Sequence, residues 1–120
     1  MRVSIDVLFA GIAVADFDAA VAWYDRLLGR PADIVVKDGE VMWRIADAAW
    51  LYVVRDPSRA GHALVTLAVA DLEAAIAEIQ ERGLPSPPIE KIAAAGRKVT
   101  FSDPEGNTIA FIEVEPEPKA

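Results

Sequence analysis

The chain contains no cysteine and only one histidine, His62. The first absence excludes a disulfide framework, thiolate metal sites and a cysteine nucleophile. The second leaves a single side chain whose ordinary pKa lies near neutrality. No apolar run approaches the roughly 18–20 residues needed to span a bilayer. The first residues, Met1 to Asp6, carry one arginine, one aspartate and no long apolar stretch, unlike a signal peptide. Cationic residues are also scarce: 12 Lys and Arg against 19 Asp and Glu leave a formal charge of −7. Such a surface repels phosphate backbones, so neither nucleic acid nor a membrane is an expected partner. A Gly-rich phosphate loop, a Gly-x-Ser-x-Gly elbow and a His-Glu-x-x-His helix are all missing. What remains is 120 residues, 53% of them hydrophobic, enough for one domain with its own core. The expectation is a cytoplasmic protein.

What is present is a repeat. Residues 13–22, AVADFDAAVA, align with residues 68–77, AVADLEAAIA, at a constant offset of 55, and seven of the ten positions are identical. Alanine inflates that count, but the Val-Ala-Asp-apolar-acid centre is harder to obtain from composition. Each copy opens with a short apolar run, Val7 to Val14 and Leu64 to Val69, which reads as a strand buried on both faces. Each strand ends at an aspartate, Asp16 or Asp71, placed to cap the following helix and to complement its dipole. Ala20, Trp23, Tyr24, Leu27 and Leu28 recur at helical spacing in the first unit, and Leu72, Ile76 and Ile79 in the second. Gly29 with Pro31, and Gly83 with Pro85, mark the helix ends. Trp23 and Tyr24 lie on the apolar stripe and read as core.

Three strands follow each helix. In the first unit they are Asp33 to Lys37, Val41 to Ala46 and Trp50 to Val54, and in the second Ile89 to Ile92, Lys98 to Ser102 and Thr108 to Val114. Asp38-Gly39 and Asp103-Pro104-Glu105-Gly106-Asn107 supply turns. The order is strand-helix-strand-strand-strand, twice: an α+β fold with units at about 6–56 and 62–115, linked by Arg55 to His62 and followed by an acidic tail, 116–120.

Three local features resemble the vicinal oxygen chelate superfamily, which includes glyoxalases, extradiol dioxygenases and bleomycin-resistance proteins. Trp23-Tyr24-Asp25-Arg26-Leu27-Leu28-Gly29 is similar to its aromatic-Tyr-x-x-x-Leu-Gly helix end. Residues Asp103 to Asn107 resemble its Asp-Pro-acid-Gly-Asn turn, and Val14-x-Asp16 and Val69-x-Asp71 its strand-to-helix entries. The resemblance implies two βαβββ units whose mixed sheets curl around a cleft, with helices on the outer face. The superfamily's metal-dependent members take four ligands, typically His, Gln or Glu, from the first and last strands of each unit. Those positions here carry Phe9, Tyr52 (to within a residue), Leu64 and Ala110. Three have no donor atom and the phenol must ionise first. A metal-ligand-deficient member is therefore expected, with no metal and no cofactor.

If Phe9 faces the cleft, period-two alternation adds Gly11 and Ala13; Leu64 adds Thr66 and Ala68; Ala110 adds Thr108 and Ile112; Tyr52 adds Trp50 and Val54. Trp43 is a further candidate, although no motif fixes the parity of its strand. The lining is small and apolar at its centre with aromatics on one side, which suits an apolar or aromatic ligand unless those aromatics fill the cleft as core. His62 stands either at the cleft mouth or on the exposed linker, and no catalytic residue is assigned. The expected function is metal-independent sequestration of a small molecule by a homodimer of the bleomycin-resistance type. The alternative is a glyoxalase-like lyase or isomerase whose metal site is relocated or absent.

Overall fold

A computed structural model describes residues 2–92 and 96–114. The expected acidic tail lies outside them. The elements follow the expected order: β1 (Leu8–Val14), α1 (Phe17–Leu28), β2 (Ile34–Lys37), β3 (Glu40–Ala46), β4 (Ala49–Arg55), then β5 (Leu64–Ala68), α2 (Leu72–Glu81), β6 (Glu90–Ile92), β7 (Gly96–Ser102) and β8 (Thr108–Val114). A single 3₁₀ turn, Pro57–Arg59, interrupts the linker. The strands form two four-stranded mixed sheets with the same topology, β1-β4-β3-β2 and β5-β8-β7-β6. In each, the first strand runs parallel to the last and the remaining pairs are antiparallel. The repeat in sequence is thus a repeat in architecture.

The helices start and stop where their caps dictate. The Asp16 carboxylate accepts from Ala19 N–H at 3.2 Å and Asp71 from Ala74 N–H at 3.0 Å, each satisfying a first-turn donor. Gly29 ends α1 in the left-handed conformation, φ 81°, which its lack of a Cβ permits.

One core serves both units. Ile12 and Val14 of β1, Leu51 and Val53 of β4, and Val41 and Trp43 of β3 are buried on one face of the first sheet. Val99, Phe101, Ile109 and Phe111 do the same in the second, and Tyr24, Leu27, Ile76 and Ile79 cover both from the helices. The opposite face of each sheet is open in the single chain: Phe9 is 52% exposed and Leu64 84%. This corrects the reading of β1 and β5 as strands buried on both faces. Their continuous apolar runs are real, but helices cover only one side, so alternate side chains emerge on the other.

The turn Asp103 to Asn107 locks the two units together. Asp103 is buried and accepts from Tyr24 Oη at 2.8 Å, from Asn107 Nδ2 at 2.8 Å and from the backbone N–H groups of Glu105 and Asn107. Asn107, fully buried, donates from Nδ2 to the Ala13 carbonyl at 3.0 Å and accepts from Ala63 N–H at 2.8 Å. The Glu105 carboxylate receives the N–H groups of Ala15 and Asp16 at the entry to α1. Burial, and then the Asp103 carboxylate, hold the Tyr24 phenol far above its ordinary pKa, so it stays a donor throughout the working pH range. Glu113 repeats the capping device in the second unit, accepting from Leu72 N–H at 2.7 Å and pairing with Arg97 at 2.9 Å.

Candidate functional site

The first sheet presents an aromatic inner face. Parallel pairing sets Phe9 beside Trp50 and Gly11 beside Tyr52. Phe9 and Trp50 stack with ring centroids 6.3 Å apart and planes inclined by 17°. The Tyr52 ring lies across β1 directly over Gly11: a Cβ on residue 11 would fall 2.3 Å from Tyr52 Cζ and 2.5 Å from its hydroxyl. Only glycine leaves room for the ring there, so Gly11 sets the direction in which the phenol points.

That direction leads to the seam between the units. Gly11 and Tyr52, both expected from alternation, and His62, which the sequence left between cleft mouth and linker, line one pocket of about 270 Å³ together with Asp56 and Arg59 of the linker. Asn107 ties the two sides of this pocket, since its partners Ala13 and Ala63 also line it. Asp56 is held by Ser58 Oγ at 2.8 Å and by Arg59 at 3.5 Å. Sequence reading missed Asp56 and Arg59 as pocket residues because it treated 55–62 only as a linker. The signal available was the return of the chain from the end of β4 to the start of β5.

The second sheet presents a smaller, more polar face. Leu64 is registered with Thr108 and Thr66 with Ala110 on the exposed side of β5 and β8. Leu64 and Thr66 are exposed, whereas Ala110 is buried at 4%. The four positions that the resemblance associates with metal therefore fall on inner faces, two on each sheet. Phe9, Leu64 and Ala110 offer no donor, so this set does not fit a divalent ion, and no group of three His, Cys, Asp or Glu comes together among the described residues.

Trp43 is placed otherwise than expected. The antiparallel register pairs it with Leu51, a core residue, so its ring points to the helix side. It is wholly buried, 6.2 Å from the Tyr24 ring, with Nε1 donating to the Arg30 carbonyl at 2.9 Å. The indole N–H has a partner, which is what allows so large a ring to be core.

The family model for the glyoxalase/bleomycin resistance protein/dioxygenase superfamily matches residues 5–111. The chain belongs to that superfamily. A glyoxalase/bleomycin resistance protein from Catenulispora acidiphila DSM 44928 is 45% identical, with a TM-score of 0.87 over 93% of this chain and all of that one. TnmS3, an antibiotic-binding protein from Streptomyces sp. CB03234, shares the fold at 24% identity, TM-score 0.74, covering 96% and 99% of the two chains. A lactoylglutathione lyase from Agrobacterium tumefaciens shares it at 18% identity and TM-score 0.68, over 89% and 92%. No curated protein matches the chain. The same fold thus accompanies both an antibiotic-binding protein and a lyase, and the choice for this chain rests on its own residues.

Proposed function

We propose that this superfamily member is a metal-independent binding protein of the bleomycin-resistance type, which sequesters an apolar or aromatic small molecule against its inner sheet faces. The observation that carries the reading is the aromatic lining, the stacked Phe9–Trp50 pair and Tyr52 laid over Gly11, beside a seam pocket whose polar groups are Tyr52, Asp56, Arg59 and His62. A flat ligand stacks on such a face, and Tyr52 Oη, Thr66 and Thr108 serve as orienting hydrogen-bond partners. The antibiotic-binding function named for TnmS3 is consistent with this reading. The absence of donor side chains at Phe9, Leu64 and Ala110 supports metal independence.

A homodimer is part of the proposal. Phe9 and Leu64 expose apolar surface on the inner faces, and Val3 and Ile5 in the segment before β1 are 76% and 75% exposed. Large apolar side chains exposed to that extent suit an interaction surface. A second copy set against the open faces would cover it and deepen a pocket that a single chain leaves small. The cytoplasmic placement rests on the lack of cysteine, and no described helix is long and apolar enough to cross a membrane.

A thermal-shift panel of planar aromatic molecules, run with and without EDTA, tests the reading. A hit whose shift is unchanged by EDTA and lost in Trp50→Ala is expected; a hit that needs a divalent ion overturns the metal-free assignment. The convergence of Tyr52 and His62 in one pocket favours a second reading, a metal-free lyase or isomerase. Turnover abolished by both Tyr52→Phe and His62→Ala would establish it.

A further inference from the structure

A second and larger groove, of about 470 Å³, opens at the other end of the seam, between the close of β3 and the end of β5. It shares no lining residue with the Tyr52–His62 pocket. Its accessible apolar lining comes from Leu8, Leu28, Ile45 and Leu67, with the buried Trp43 and Phe111 behind them. At its edge stand Arg30 and Arg44. The two are built into one unit: Arg30 Nη2 donates to the Arg44 carbonyl, and Asp33 Oδ2 accepts from Arg44 N–H at 2.7 Å and from Arg30 Nη2 at 3.3 Å. Trp43 Nε1 holds the Arg30 carbonyl from below. Arg44 Nη2 donates to the Asp47 carbonyl at 2.6 Å. Among the described residues, each guanidinium uses only Nη2 in hydrogen bonds, out of five N–H donors.

No carboxylate is among the residues lining this groove, in a chain that carries a formal charge of −7; Asp33 offsets Arg30 through an ion pair at 3.3 Å, while the Arg44 guanidinium forms no ion pair among the described residues. A cationic rim over an apolar floor in an otherwise acidic protein selects one ligand class. We infer that the groove binds an amphipathic monoanion, an alkyl or aryl carboxylate, with its apolar body on Leu8, Leu28 and Leu67 and its carboxylate on Arg30 and Arg44. Arginine pairs with a carboxylate through two parallel N–H donors, which fixes the orientation of the head group. The volume lies within the roughly 300–1,000 Å³ usual for small-molecule sites.

Three probes of equal chain length and different head group separate this site from unspecific apolar binding: decanoate, decanol and decyltrimethylammonium, titrated into the full chain by calorimetry. Decanoate is expected to bind saturably and more tightly than the other two. Arg44→Gln and Arg30→Gln should each weaken it about five-fold, with decanol unaffected, since these are hydrogen bonds to charge at a partly exposed site. Arg44 is exposed, so its variant reports on the site even if Arg30→Gln disturbs the loop. Tyr52→Phe should leave decanoate binding unchanged. Equal affinity for decanol or for the cation overturns the inference. So does an unchanged decanoate affinity in Arg44→Gln, or a loss in Tyr52→Phe instead.

Discussion

Asn107 is the side chain on which the joint between the two units depends, and its replacement has a calculable cost. Asn107→Ala removes three contacts: Nδ2 to the Ala13 carbonyl, Nδ2 to Asp103 and Oδ1 to Ala63 N–H, at 3.0, 2.8 and 2.8 Å. The residue is fully buried, while its partners Ala13 and Ala63 line the seam pocket, where water can replace part of what they lose. A buried polar group left unpaired costs about 1–3 kcal/mol, and partial relaxation lowers the sum to about 3–5 kcal/mol. Folded domains have about 0.05–0.15 kcal/mol of stability per residue, so this is a large share of the total. Asn107→Asp is nearly isosteric and keeps the bond from Ala63, yet it should be the worse substitution at neutral pH. A carboxylate oxygen would replace a donor 2.8 Å from the Asp103 carboxylate and 3.0 Å from a carbonyl. Two such acids share a proton as pH falls, and the shared proton restores a donor. The folded variant thus binds a proton more tightly than the unfolded chain, so its deficit shrinks as pH is lowered. Urea unfolding at fixed protein concentration, with midpoints compared at equal m-values, reads both effects. An Asn107→Asp protein as stable as the parent at neutral pH, or one whose deficit does not shrink on acidification, would refute the reasoning.

Other substitutions follow from particular contacts. Gly11→Ala forces the Tyr52 ring off β1; because this face is open, the fold should lose no more than about 1 kcal/mol, while binding of an aromatic hit from the thermal-shift panel should fall. Glu113 is held below the ordinary glutamate range, chiefly by the Leu72 N–H and then by Arg97. Its contribution is therefore present at neutral pH and is lost as pH falls through its depressed folded pKa, so the stability gap between the parent and Glu113→Gln should close in acid. Asp16→Ala and Asp71→Ala should each cost about 1 kcal/mol in thermal or urea unfolding, as lost helix caps. Trp43→Ala should cost about 3–5 kcal/mol by cavity formation, a result that a ring on the open face would not give.

The legibility of the site differed from residue to residue. Gly11 and Tyr52 could each be assigned to the cleft from alternation, because period two is a local rule and both strands could be placed, that of Tyr52 to within a residue; that the two lie side by side is settled by the parallel register. Trp43 could not, because a strand without an anchoring motif leaves both faces open to a large aromatic, and only its pairing with Leu51 settles which is used. The Asp103–Asn107 turn was visible as a turn; that its side chains reach Ala13, Ala15, Asp16 and Tyr24 was not, since those residues lie 79 to 94 positions from their partners in the chain.

Everything that depends on near neighbours was therefore determined by the sequence itself: the duplicated unit, its helix caps, its strand order and the lack of metal donors at Phe9, Leu64 and Ala110. Capping and alternation operate over two to four residues, so a single sequence contains them whole. The tertiary structure alone decided that one face of each sheet stays open, that Trp43 turns to the core, and that Arg30 and Arg44 meet over an apolar groove. Those outcomes depend on how two sheets and two helices share one core, and no local rule states which faces that sharing will leave uncovered.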